Sequence, residues 1–173
     1  MQPDWPSEIH RELKAAGIRL VGYVPDAGHK RLIELCRADA SMRAVVLTTE
    51  EEGIGLAAGA WLGGDKSVLL MQSSGVGNVI NVLGMMKECR FPLASIVTMR
   101  GEQGEFNPWQ VPMGQGTRAV FEAMGTIVHA AASEEDLAPT VSAALRLAYN
   151  SYASVAVLIA QREIGRASCR ERV

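Results

Sequence analysis

Six short apolar runs recur along this chain with helical stretches between them, and that alternation restricts its fold more than any other feature. The runs fall at 19–24, 44–47, 67–71, 93–98, 126–129 and 155–159. Most are apolar throughout rather than alternating, the pattern of strands covered on both faces. Helices are predicted at 7–16, 27–38, 51–62, 76–89, 116–124 and 134–151. Ser7 after Pro6, Asp26 after Pro25, and Ser133 with Asp136 supply helix-start chemistry, and Gly17 and Gly125 stand where helices should stop. The order predicts a three-layer α/β domain, with a mostly parallel six-stranded sheet, helices on both faces and right-handed crossovers. No repeat or Pro/Gly/Ser-rich linker divides it, so residues 1–162 read as one domain.

Composition narrows the function classes. The chain has 173 residues, 48% hydrophobic and 21% charged, with a formal net charge of −2. That describes a soluble globular protein with no basic patch for nucleic acid. No apolar run approaches the ~20 residues that cross a bilayer, so no membrane partner is expected. The opening MQPDWPSEIHRELK lacks the basic-then-apolar order of a secretion signal. Cys36, Cys89 and Cys169 show no paired spacing, which points to a reducing, cytoplasmic setting. The last stretch, EIGRASCRERV (163–173), turns abruptly basic and looks like a translated sequencing adapter. It is read as a non-native tail and left out of the fold; the alternative is a genuine basic surface tail.

In open parallel sheets ligands bind outside the carboxyl ends of the strands, so the junctions after the apolar runs are where chemistry belongs. After 44–47 comes TTEEEGIGLAAGAWL (48–62), which sets Glu50, Glu51 and Glu52 at a strand-to-helix junction. Crowding and burial favour the protonated form of at least one, making it a proton-managing carboxyl. A solvated acidic first turn, which helix N-termini favour, is the other reading. After 67–71 comes MQSSGVGN (71–78), where Gly75 and Gly77 permit close backbone approach beside Ser73, Ser74 and Asn78. Such a turn can hold an anion or a polar ring edge, or be simply a tight turn. With Ile80 and Gln72 where glycines would be needed, it matches neither the dinucleotide loop nor a nucleophile elbow. After 93–98 comes RGEQGEFNPWQVPMGQ (100–115), too long and aromatic for a plain connection and read as an ordered site loop. His10, His29 and His129 lack metal-ligand spacing, so no metal site is expected on this chain, and His29 alone is held open as a site residue.

The stretches VGYVPDAGHKRLIELC, TTEEEGIGLAAGAWLGG, LLMQSSGVGNVINVL and RGEQGEFNPWQVPMG, in this order, resemble the α subunit of sulfopyruvate decarboxylase. They are also similar to the pyrimidine-binding half of phosphonopyruvate decarboxylase. Both are thiamine-diphosphate-dependent 2-oxo acid decarboxylases, and the resemblance spans roughly residues 8–162. It implies a thiamine-diphosphate pyrimidine-binding domain, with thiamine diphosphate and Mg²⁺ as cofactors. The family's diphosphate and Mg²⁺ are held by a second domain through a Gly-Asp-Gly motif. The nearest string here is Gly64-Asp65-Lys66, so a separate β subunit in an α/β hetero-oligomer is implied. The implied reaction converts 3-sulfopyruvate, or a similar anionic 2-oxo acid, to an aldehyde and CO₂.

Residue by residue, the family's essential glutamate stands two positions before a glycine and falls on Glu51, ahead of Gly53. It would hydrogen-bond N1′ of the aminopyrimidine, with Gly55 and Gly59 keeping that helix face low, and apolar surroundings would be needed for it to carry a proton. Pro25, Gln72, Ser73, Ser74, Gly75 and Asn78 match the cofactor-binding turns. Arg100 is the best-placed cation for a sulfonate or phosphonate, the alternative being a surface ion pair with Glu102 or Glu105. Asp26, His29 and Gln110 are further substrate-binding candidates, with Lys30 weaker; Asp26 can instead cap its helix. A phosphonopyruvate decarboxylase subunit and a non-catalytic partner subunit that kept the fold are the alternative functions.

Overall fold

A computed structural model describes residues 4–131 and 133–164. Its six strands are β1 (Ile18–Tyr23), β2 (Arg43–Val46), β3 (Lys66–Gln72), β4 (Leu93–Thr98), β5 (Ile127–Ala131) and β6 (Ser154–Ile159). They form one sheet in the order β2-β1-β3-β4-β6-β5, and every pairing is parallel. The helices are α1 (Trp5–Ala15), α2 (Lys30–Ala38), α3 (Glu50–Leu62), α4 (Val76–Glu88), α5 (Val111–Ala123) and α6 (Glu134–Ser151). Two core clusters flank the sheet. One joins α1, α2 and α6 through Ile9, Leu13, Leu32, Val141 and Leu145; the other joins α3, α4 and α5 through Ile54, Ala57, Leu83 and Phe121. Successive β3 residues serve both: Val68 and Leu70 face the first cluster, Leu69 and Met71 the second. That double coverage is why the central strands read as unbroken apolar runs.

The strand order places the chemistry. From β1 the chain moves outward to β2, whereas from β3 it moves the other way to β4. Connections that diverge in this manner open a crevice at the carboxyl ends of the two strands. The segments after β1, β3 and β4 therefore meet at one edge of the sheet.

Two predicted boundaries are corrected. The helix expected at 116–124 begins at Val111, because Pro112 sits in its first turn, where no intrahelical N–H bond is lost. A short 3₁₀ turn, Pro108–Gln110, precedes it, with the Asn107 side chain accepting from Trp109 N at 3.2 Å. The irregular part of the expected site loop thus shrinks to 100–107. The helix expected at 27–38 starts as a 3₁₀ turn, Ala27–His29, before α2. Gly17 and Gly125 follow α1 and α5 with φ of +76° and +80°, as helix stops should. Of the segment read as a foreign tail, Ile164 packs against the first core cluster, while residues 165–173, Cys169 among them, lie outside the described residues. No helix of the described residues is long and apolar enough to cross a membrane.

Candidate active site

The three glutamates opening α3 separate by helical phase. Glu50 is 6% exposed, while Glu51 and Glu52 lie at the surface. Glu50 shares a face with Gly53, Ile54, Ala57 and Ala58, all buried, at i+3, i+4, i+7 and i+8. Glu51 shares its face with Gly55 and Gly59, where an added Cβ would meet nothing within 4 Å. Glu52 turns back to accept the Thr48 N–H at 2.7 Å, satisfying a donor at the helix start. The enclosed surroundings expected for Glu51 are therefore found around Glu50. Asn78 Nδ2 donates to Glu50 Oε2 at 2.8 Å. A Cβ at Gly75 would lie 2.1 Å from Glu50 Oε1, so only glycine admits the carboxyl group there. The turn 71–78 and the acidic junction are thus one structure, with Asn78 and Gly75 spent on Glu50.

A second polar cluster ties three strand ends together. Asp26, following β1, accepts from Gln72 Nε2 at 2.9 Å and from the Thr98 hydroxyl at 2.6 Å. Ser74 donates to Gln72 Oε1 at 2.8 Å, which fixes the amide so that its N–H faces Asp26. Asp26 does not cap the turn it precedes. Gly28 leaves the room required, since a Cβ there would approach Thr98 Cγ2 to 2.8 Å. Ser73 is fully buried, its hydroxyl accepting from Arg100 N at 3.0 Å; it braces the loop and presents no hydroxyl to a ligand. Pro25 stays exposed at the rim.

His29 is not a surface contact. It is fully buried, with Nε2 at 3.2 Å from the Met71 carbonyl and 3.1 Å from the Ile96 carbonyl. Two acceptors require that Nε2 carry the hydrogen. Burial lowers its pKa, opposed by the charge on Asp26 and the two carbonyl contacts. His29 is a neutral bolt between β3 and β4 rather than a substrate group.

Arg100 forms an ion pair with Glu105, one of its two predicted partners, but not a surface one. Its Nε and Nη2 each donate to a different Glu105 oxygen at 2.7 Å, and the Glu105 side chain is 1% exposed. The Arg100 guanidinium, then the N–H groups of Asn107 and Gly101 and the Gln161 amide, hold the Glu105 carboxyl far below the usual carboxylate range against the opposing effect of burial. Phe106 lies over the guanidinium at 5.6 Å, itself 87% exposed, and Trp109 is 85% exposed. Gln110 places its Oε1 in a buried position with no hydrogen-bond partner among the described residues.

Beside this edge, α3 and α4 present an outer face almost free of charge. From Gly53 to Met86 the charged residues are Asp65 and Lys66. Leu62 is 73% exposed, with Ile80 and Met85 also open to solvent. Burial phase along α3 was the signal that could have separated Glu50 from Glu51. Thr98 carried none, because its partner Asp26 lies 72 residues away in sequence.

No protein-family model matches the chain. The α subunit of sulfopyruvate decarboxylase from Methanococcus maripaludis is 33% identical over 152 residues, covering 87% of this chain and 91% of that one. Phosphonopyruvate decarboxylase of Streptomyces viridochromogenes is 37% identical over 94 residues, covering 54% of this chain and 24% of that one. Among solved structures, the 2-oxoglutarate:ferredoxin oxidoreductase of Magnetococcus marinus superposes with a TM-score of 0.71 at 16% identity, over 91% of this chain and 28% of that one. That last likeness is one of fold. The near full-length match settles descent: the chain belongs to the family of sulfopyruvate decarboxylase α subunits.

Proposed function

We propose that this chain, joined to a β subunit, decarboxylates 3-sulfopyruvate to the aldehyde and CO₂ with thiamine diphosphate and Mg²⁺ in the cytoplasm. The observation that carries the reading is Glu50, a buried carboxyl group at the carboxyl edge of a parallel sheet, held by a neutral amide and paired with no cation among the described residues. An aminopyrimidine edge calls for such a group opposite a ring nitrogen, and the missing Cβ at Gly75 is what lets the Glu50 carboxyl lie at this edge. Once bound, the cofactor supplies the electron sink for the pair left when CO₂ departs. Glu50 would hold a proton at the ring nitrogen. Asp26, fixed by Gln72 and Thr98, would orient the substrate beside it, and Arg100 would meet the second anionic group. Mg²⁺ and the diphosphate would be held by the β subunit. The α3–α4 face, charged only at its ends, is where that subunit would dock, since interface cores are depleted of charge.

In the complex co-purified with its β subunit, Glu50→Gln should lower kcat by about 100-fold or more, with Glu51→Gln inside about threefold. The reverse result would return the role to Glu51, and two active variants would remove the reading. The similarity to phosphonopyruvate decarboxylase favours a second substrate reading, which competition between the two acids resolves.

A further inference from the structure

We infer that Glu105 is a positioning residue for anion recognition, locking the Arg100 guanidinium so that one edge meets the substrate's sulfonate. This rests on the reading above, that the substrate carries a second anionic group and that Arg100 receives it. An arginine at the mouth of a loop is a long, mobile donor, and holding it still costs conformational freedom at the moment of binding. Here that freedom is already gone. The fork from Nε and Nη2 to both Glu105 oxygens fixes the guanidinium plane. Phe106 covers one face of it.

Glu105 is itself immobilised. Its carboxylate also accepts Gly101 N at 3.1 Å, Asn107 N at 2.9 Å and Gln161 Nε2 at 2.9 Å, so five donors converge on two oxygens. The base of the arginine is pinned as well. Its N–H donates to Ser73, and α5 rests on its carbonyl through Gly114, where a Cβ would stand 2.0 Å from that oxygen. With Nε and one Nη2 N–H committed, the Nη1 side of the fork remains for an oxyanion. The Glu105 hydrogen bonds, and after them the charges of Glu105 and Asp26, favour the charged guanidinium against its partial burial. Spread over five donors, the Glu105 charge is held by the loop, and what it imposes on Arg100 is geometry.

The test uses the α/β complex freed of cofactor and Mg²⁺, titrated calorimetrically with 3-sulfopyruvate and with pyruvate, which lacks the sulfonate. Arg100→Ala should cut the preference for 3-sulfopyruvate by about 100-fold, and Glu105→Gln, which keeps the shape but not the fork, by about tenfold with pyruvate affinity inside twofold. Gln161→Met, which removes one donor from Glu105 without touching Arg100, should give about threefold. In the loaded enzyme the Glu105→Gln loss should appear in KM, with kcat inside about twofold. If Arg100→Ala loses the preference while both Glu105→Gln and Gln161→Met keep it, the positioning role is overturned and the anion site stands. If Arg100→Ala keeps it too, the anion site itself falls, and this inference with it.

Discussion

The layer of α1, α2 and α6 and the layer of α3, α4 and α5 bury comparable apolar faces against opposite sides of one sheet, yet they turn different surfaces outward. Arg11 and Lys14 on α1, and Arg31, Glu34 and Arg37 on α2, are exposed and charged. On α3 and α4 the exposed charges stand only at the ends, Glu51, Glu52, Lys87 and Glu88, and the exposed positions between them are Gly55, Gly59, Leu62, Gly77, Asn78, Ile80, Asn81 and Met85. Inner faces are set by packing against strands and so resemble each other, whereas outer faces are set by what touches them. A face whose charge is confined to its ends is suited to protein, and a face studded with arginine and lysine to water.

If the layers are equal on the inside, equal injury should cost them equally. Leu32, under α2, and Leu83, under α4, are both fully buried. Leu32→Ala and Leu83→Ala should each lower the unfolding free energy by about 3 kcal/mol in urea titration of the isolated chain. A cost near zero for Leu83 alone would show that the second layer becomes ordered only on assembly, and the comparison would need recasting as one between a folded and a conditional layer.

The outer faces should respond unequally. Gly59→Glu puts a charge on the bare face of α3, where an added Cβ meets nothing within the chain, so the isolated chain should fold normally. Burying that charge unpaired against the β subunit should weaken association by about 100-fold. Arg11→Glu on α1 should leave association unchanged. Sedimentation of the two variants with the β subunit reads both at once, and equal binding by both would take the interface away from α3 and α4.

How much of this was legible beforehand follows from how far each contact reaches along the chain. The strands and both layers could be read because burial on two faces writes itself into consecutive letters. The start of α5 was hidden by Pro108 and Pro112, which read as breakers although a first helical turn accepts proline. Spacing to Gly53 points to Glu51, whereas extending the buried face of Ile54 and Ala57 backwards points to Glu50. The bond from Thr98 to Asp26 spans 72 residues and that from Gln161 to Glu105 spans 56. No local pattern encodes either, so the roles of Thr98 and Gln161 appeared only once the strand ends had been brought together.

His29 belongs to the turn that leads into α2, but its ring reaches under the site to β3 and β4, so its titration links the first layer to the site. Burial holds it neutral when folded, while in the unfolded chain it takes up a proton near its ordinary value of 6.5. Below that pH the unfolded state binds a proton the folded state refuses, so stability is full above about 6.5 and declines as the solution is acidified. The strongly held carboxylates Glu105 and Asp39 act in the same direction, but their contributions are lost only at pH values below the ordinary carboxylate range. Across pH 7.5 to 5.5 those carboxylates stay silent, and comparison with His29→Gln separates this ring from His10, which faces Asp39 at 3.2 Å. Over that interval the melting temperature of the isolated chain should fall by about 3 °C. His29→Gln should melt lower at pH 7.5 and show a flatter dependence. If that variant kept the full slope, the proton taken up on unfolding would belong elsewhere, and the link from the first layer into the site would be steric alone.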